Sequence, residues 1–480
     1  MNVSMVFYLL GRVLLCEGAL LVLPTAVSLY YGEYRAMYAF LITVALCVGL
    51  GLLLSWRKPQ KNIFYLREGF VITSLSWVMI SIMGAIPFLL TGAIQNPIDA
   101  LFETVSGFTT TGASILSDVE TLPKSLIFWR SFTHWIGGMG VLVFLLIITP
   151  LKGGYNANLM KAESPGPQVE KLVPRTRSTA GILYGIYIVL TLCQIVLLLV
   201  GHMSPFEAVT TAFGTAGTGG FGIKNDSMAG YSTYIQNVVS IFMILFGVNF
   251  TFYFLLLCRK VKRAFAMEEV RWYFIIILVA ILIITWNTME IYGSVWGALQ
   301  QAFFQVGSLI TTTGFSTTDF NLWPQVSKTV LVMLMFVGAC AGSTGGGIKV
   351  SRFVILFKSV RKEIWHYLHP NSVGKIALEG KPVPHEVVRS INVFMVAYVI
   401  IFSLSVLLIG FDNHDLTTNF TAIVATLNNI GPGLELVGPM GNFSVFSGGA
   451  KLVLIFDMLA GRLELFPLLL LFSRETWRKF

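Results

Sequence analysis

Four stretches of this 480-residue chain set polar residues just ahead of a glycine. They read FETVSGFTTTGAS (102–114), FEAVTTAFGTAGTGGFG (206–222), AFFQVGSLITTTGFS (302–316) and NFTAIVATLNNIGPG (419–433). The glycines are Gly112, Gly220, Gly314 and Gly431, and an acidic residue follows each a few positions later: Asp118, Asp226, Asp319 and Glu435. The chemistry such segments can do is to replace the water shell of a cation. A bare ion needs fixed oxygens, and rings of backbone carbonyls supply them in potassium channels. Glycine allows aligned carbonyls that a Cβ would resist, and Thr hydroxyls beneath the turn add oxygens. Building such a ring takes several extended segments meeting on one axis, which four copies in one chain can provide.

The elements that must position these turns follow from composition. Hydrophobic residues are 55% of the chain and charged residues 12%, about half the charge of a soluble domain. A soluble enzyme, a nucleic-acid binder and a disordered scaffold are excluded, and the bilayer is the solvent. Apolar runs of about twenty residues indicate spanning helices rather than barrel strands. The reading predicts ten spans, near 5–31, 34–54, 70–90, 126–149, 181–200, 235–257, 272–286, 326–342, 392–409 and 451–472. From residue 70 onward each pair of spans encloses a short amphipathic helix and one glycine turn. A short helix before each turn aims its negative C-terminal end at the ion.

Charge gives the orientation. The loops on one side hold 24 Lys and Arg against 9 Asp and Glu, and those on the other hold 4 against 11. The basic set is cytoplasmic by the positive-inside rule, so both termini are predicted inside. The net charge of +9 therefore reports topology, and no nucleic-acid partner is expected. The five cysteines lie in or beside apolar runs with no CxxC spacing, as packed thiols would. The apolar N-terminus is too long for a signal h-region and reads as a retained span. Four repeats follow two leading helices: 1–56, 57–160, 161–265, 266–372 and 373–480.

Two further features lie on second spans. Gly342-Ser343-Thr344-Gly345-Gly346-Gly347-Ile348-Lys349 has three adjacent glycines, which break a helix. It does not satisfy GxxxxGK[ST], and a broken helix facing a cavity below the turns is the better reading. In FDMLAGRLELFP, Arg462 lies among apolar residues with Asp457 and Glu464 nearby. A mid-membrane Arg costs at least ~2.5 kcal/mol on insertion scales, so it must face water or a partner. His134 reads as a packed histidine.

With these residues in place, the chain resembles the Trk/Ktr/HKT superfamily of potassium transporters, most closely its TrkH-type membrane subunit. The two leading spans favour that type over KtrB-type subunits. The resemblance implies an all-helical membrane protein with four pseudo-fourfold repeats around a pore. It assigns the selectivity filter to Thr110-Thr111-Gly112-Ala113, Thr218-Gly219-Gly220-Phe221, Thr312-Thr313-Gly314-Phe315 and Asn429-Ile430-Gly431-Pro432. In the second segment Gly217 or Gly219 could be the aligned glycine. Glycine at all four positions implies a preference for K+, since sodium-conducting plant relatives often carry Ser at the first. The resemblance also assigns gating to the loop with Ser343, Thr344, Gly345, Gly346, Gly347 and Lys349, and to Arg462, whose charge repels K+. Arg462 could instead be structural, paired with Asp457 or Glu464.

K+ is then the transported ion, with no bound cofactor and no enzymatic activity. The resemblance further implies a homodimer in the bacterial inner membrane, contacting lipid and a cytosolic TrkA-like nucleotide-binding ring. The alternative is an H+- or Na+-coupled carrier, for which only Asp457 and Glu464 offer buried carboxylates. A membrane enzyme would need an Asp/His or metal cluster, and the sequence has none in reach.

Overall fold

A computed structural model describes residues 2–57, 65–140, 176–372 and 374–478. Apart from one two-stranded hairpin at 377–382, the described chain is helical. The leading pair is Val3–Leu20, continued by Val22–Tyr30, and Tyr34–Ser55. They pack closely because Gly11 and Gly51 face each other. A Cβ on Gly11 would lie 2.7 Å from the Gly51 carbonyl. Small residues at the contact are how helices associate where burial supplies no driving force.

The chain then repeats one motif four times: a long helix, a short helix, an irregular turn and a second helix. The long helices are Leu66–Thr91, Thr176–Val200, Glu268–Tyr292 and His385–Ile409. The short ones are Pro97–Phe108, Pro205–Ala216, Val295–Ile310 and Leu416–Leu427. Each short helix starts on a side-chain cap, from Asn96, Ser204, Ser294 and Asp415 respectively. Such caps satisfy amides that would otherwise be orphaned. The second helices are Lys124–Met139, Thr233–Phe246, Gln325–Phe336 and Gly448–Arg462.

The second helices depart from the sequence reading. Six helices among the described residues are long and apolar enough to cross a membrane, and one bent pair would make a seventh. None of the four second helices is a continuous rod across its predicted span. Thr233–Phe246 turns by 90° into Phe250–Leu257. Gln325–Phe336 stops ahead of the glycine loop, which leads into Val350–Leu368. Gly448–Arg462 gives way to Phe466–Phe472 through Glu464 and Leu465, both at positive φ. Lys124–Met139 ends at Gly140, φ 80°, and the remainder of its predicted span, 141–149, lies outside the described residues. The basic segment 151–178 lies largely outside them as well. Near two of the breaks the second helix passes so close to the end of a short helix that only glycine fits. A Cβ on Gly137 would overlap the Phe108 carbonyl, and one on Gly461 the Leu427 carbonyl.

Candidate functional site

The four glycine turns are built alike, bond for bond. Each short helix ends with a residue in the left-handed region: Thr110 (φ 56°), Thr218 (53°), Thr312 (60°) and Asn429 (57°). Each of these amides donates three residues back, to the carbonyls of Gly107, Thr215, Leu309 and Thr426. The next amide donates five residues back: Thr111 to Ser106, Gly219 to Gly214, Thr313 to Ser308, Ile430 to Ala425, all at 2.8–2.9 Å. This is the reversal that satisfies terminal helix carbonyls, here paid for with strained Thr and Asn. The following residue is the glycine, at φ 79°, 75°, 84° and 99° for Gly112, Gly220, Gly314 and Gly431. The second segment offers three glycines, Gly217, Gly219 and Gly220. Its pattern matches the others only with Gly220 in register.

The turns also touch one another in order. A Cβ on Gly112 would overlap the carbonyl of Gly219, one on Gly220 that of Thr313, and one on Gly314 that of Ile430. A Cβ on Gly431 would lie 2.9 Å from the carbonyl of Thr111, which closes the cycle. Each contact is with the residue just before the next glycine. Gly112, Gly220, Gly314 and Gly431 line one cavity of about 140 Å³, together with Ser114, Asn225 and Met440 among others.

A second layer of bonds repeats this cycle in the loops that follow. Val119 N–H donates to Asn225 at 2.9 Å, and Met228 N–H to Ser316 at 2.9 Å. Glu435 N–H donates to Asn321 at 3.0 Å, and Phe443 N–H to Ser114 at 2.9 Å. The trailing Asp118 and Asp319 side chains bond within these loops. Asn225 donates to Asp118 at 2.9 Å, and that bond holds the Asp118 carboxyl below the usual aspartate range.

Residues that the sequence marked weakly or not at all hold the turns from behind. Arg130 and Glu103 form an ion pair at 2.8 Å, both buried. Glu103 also accepts from Ser114 Oγ and the Ile115 amide, each at 3.0 Å, fixing the chain just past Gly112. Arg130 lies 4.1 Å over the Phe221 ring. His134 is packed, as expected, but its neighbours are specific. Nδ1 is 2.7 Å from the Gly107 carbonyl, and Nε2 accepts the Phe221 amide at 3.3 Å. Hydroxyl pairs Thr109–Thr111 (2.8 Å) and Thr311–Thr313 (2.7 Å) recur in the first and third segments. Asn429 ties the fourth to the first through Thr111 Oγ1 at 2.9 Å. Ala113, Phe221 and Phe315 are buried behind their glycines, and Pro432 lines the cavity.

The glycine loop lies on the opposite side of the turns from this cavity. Its neck is closed by Gly338 N–H to Ile348 (2.9 Å) and Val350 N–H to Ala339 (3.3 Å). Gly346 N–H donates to Thr312 Oγ1 at 2.6 Å, directly beneath the third turn. Thr344 Oγ1 donates to the Phe246 carbonyl at 3.2 Å. Ser343 Oγ donates to Cys340, and Lys349 Nζ to the carbonyls of Gly345 and Gly346. Gly347 has φ 68° and packs against Gly338.

Arg462 reaches the same place from the end of its helix. Nη1 donates to Thr110 Oγ1 at 3.2 Å and to the Thr344 carbonyl at 3.1 Å; Nη2 donates to the carbonyls of Gly137 and Gly138. The two carboxylates near it in sequence have partners of their own. Asp457 accepts from Ser405 at 2.8 Å, and Glu464 pairs with Arg352. The four turns, the glycine loop and Arg462 are therefore in contact with one another, while Asp457 and Glu464 bond elsewhere.

Comparison with known proteins identifies the assembly. The family profile TrkH, described as a cation transport protein, matches residues 36–479. The Trk system potassium uptake protein TrkH of Salmonella typhimurium is 37% identical, over 98% of both chains. Its namesake in Escherichia coli K12 is 36% identical over the same share. The crystal structure of the potassium transporter TrkH from Vibrio parahaemolyticus superposes with a TM-score of 0.88, covering all of both chains at 32% identity. A helical polytopic transporter fold, four like-built turns and this breadth of similarity lead to one assignment: the chain belongs to the TrkH family of cation transport proteins.

Proposed function

We propose that this chain is the membrane subunit of a potassium uptake system and conducts K+ through a filter of backbone carbonyls. The observation that carries the reading is the closed cycle of contacts among Gly112, Gly220, Gly314 and Gly431. Four strands in mutual contact at matched backbone angles can present successive oxygens to one ion on a shared axis. The filter residues are 110–113, 218–221, 312–315 and 429–432. In this reading the protein has ten spans, counting each broken second helix as one. It is arranged as two leading helices, 1–56, and pore repeats at 57–160, 161–265, 266–372 and 373–480 about a pseudo-fourfold axis.

The glycine loop and Arg462 form the barrier below. An ion leaving the filter meets a backbone plug hydrogen-bonded to Thr312 and a guanidinium bonded to Thr344 and Thr110. A fixed cation on the axis repels K+ with little water to screen it. Opening requires the loop to leave Arg462. We infer that the chain sits in a bacterial inner membrane as a homodimer with cytoplasmic termini. There a cytosolic TrkA-like nucleotide-binding ring would act on the loop. Names of the relatives that specify potassium uptake support the choice of ion. The work is conduction, with no covalent chemistry.

A carrier coupled to H+ or Na+ has one observation in its favour: buried Asp457, whose Oδ2 has no hydrogen-bond partner. Flux with and without a proton gradient separates the two. The test of the main reading is rescue of a K+-uptake-deficient bacterium at low external K+. Growth restored by the wild-type chain and lost with Gly220→Ala supports it. No rescue by well-expressed wild-type chain with its ring partner would overturn it.

A further inference from the structure

We propose that Glu269 is a positioning residue of the glycine loop, a buried carboxylate that clamps both ends of the loop in its obstructing position. The inference rests on the reading of that loop as a gate. Glu269 lies in the first turn of helix Glu268–Tyr292 and is 4% exposed. Its Oε1 accepts two backbone amides: Ala341, where the chain enters the loop, at 2.7 Å, and Ser351, just past its exit, at 3.1 Å.

Two physical points make this more than packing. The helix that follows the loop, Val350–Leu368, has Lys349 at its N-cap and no side-chain cap bond of its own. Val350 N–H is taken by the Ala339 carbonyl and Arg352 N–H by that of Lys349, which leaves the Ser351 amide to find an acceptor at the positive end of the helix dipole. Glu269 supplies the missing acceptor, with a charge of the right sign, from a different repeat element. One oxygen thus completes the helix start and holds the loop's entry strand beside it. The neighbouring Glu268 grips the same helix farther along, through Lys358 Nζ at 2.6 Å. Lys358 also donates to the Ala377 carbonyl of the cytoplasmic hairpin at 2.8 Å. Consecutive carboxylates therefore tie the loop and the cytoplasmic helix to one rigid span. Motion of that helix must strain or break the Glu269 bonds before the loop can swing.

The experiment measures Rb+ flux through the purified full-length protein in K+-loaded liposomes, without any partner. Variants are Glu269→Ala, Glu269→Gln, Glu269→Asp and a loop shortened by removal of Gly345–Gly347. Loss of two charge-assisted bonds should raise flux by at least about tenfold in Glu269→Ala. Glu269→Gln keeps an acceptor oxygen and should stay within about threefold of wild type. Glu269→Asp keeps the charge, loses the reach to both amides and should give raised flux. The K+ over Na+ preference should be unchanged in all, because the filter is untouched; a collapsed protein would lose it. Folded Glu269→Asp or Glu269→Ala with wild-type flux, beside a shortened loop that leaks, would overturn the assignment while leaving the gate standing. A shortened loop that conducts like wild type would overturn both.

Discussion

Arg462 donates a hydrogen bond to the backbone carbonyl of Thr344 at 3.1 Å, which joins the end of the fourth repeat's second helix to the glycine loop of the third. The same nitrogen reaches the Thr110 hydroxyl beneath the first turn at 3.2 Å. The other terminal nitrogen holds the Gly137 and Gly138 carbonyls, where the first repeat's second helix ends. One guanidinium thus links three of the four repeats below the turns. Its planar fork of donors suits it to that, and a lysine could not span the same acceptors.

Replacing Arg462 by Ala removes both the positive charge and the tie to the loop. Flux through the purified protein should rise by at least about tenfold, as expected for losing charged hydrogen bonds worth about 1.5–3 kcal/mol each. Arg462→Lys keeps the charge without the fork and should fall between Ala and wild type. Rb+ uptake into liposomes measures both. Equal flux in all three proteins, with normal folding, would return Arg462 to a purely structural role.

The buried pair Arg130–Glu103 makes a prediction about stability. Removing one partner strands the other charge, at a cost of about 3–5 kcal/mol. Glu103→Ala should be the worse of the two, since it also frees Ser114 Oγ and the Ile115 amide beside Gly112. Thermal unfolding in detergent, followed by tryptophan fluorescence, checks the order. A Glu103→Ala protein as stable as Arg130→Ala would contradict it.

The loops that follow the turns should respond to acid in a defined direction. Asp118 is held below the ordinary aspartate range first by the Asn225 side chain and then by the Glu120 amide. A carboxyl with a lowered folded value contributes its tie above the ordinary range of about 3.9 and loses it as pH falls through the lowered value. Asn225→Ala removes the leading cause, so the Asp118 titration should move back up. Carbonyl NMR of a 13C-aspartate-labelled protein reads the midpoint, and an unmoved midpoint would refute the attribution.

Much of the site is legible in the sequence because its demands are local. The glycine at positive φ that ends each turn is of the expected type, so TTG, TGG and NIG stand out against an apolar background, whereas the left-handed Thr110, Thr218 and Thr312 do not, because a β-branched residue rarely adopts that region. The loop at 342–349 is legible for the same reason. The breaks in the other second helices are not. Phe246–Phe250 is interrupted by Gly247-Val248-Asn249, which reads as an ordinary apolar helix with one glycine. Leu465 sits at φ 68°, a conformation no sequence rule assigns to leucine. The sequence of the second turn offers three glycines, and only its hydrogen bonds set Gly220 in register with the others. The roles of Glu269, Arg130 and Glu103 leave no mark in the sequence because their partners lie 72 and 27 residues away. Only the packing of separate hairpins brings a carboxylate to a loop amide, and periodicity carries no trace of that.

The central claim is that four glycine turns form one ion-selective ring. It is tested most directly by the K+ over Na+ permeability ratio of Gly112→Ser and Gly314→Ser proteins beside wild type, from competition of each ion with Rb+ uptake in liposomes. Both glycines sit at positive φ with a neighbouring carbonyl where a Cβ would go. The account predicts that each substitution lowers the ratio while the protein still folds. A ratio unchanged in both variants, with flux intact, would contradict it.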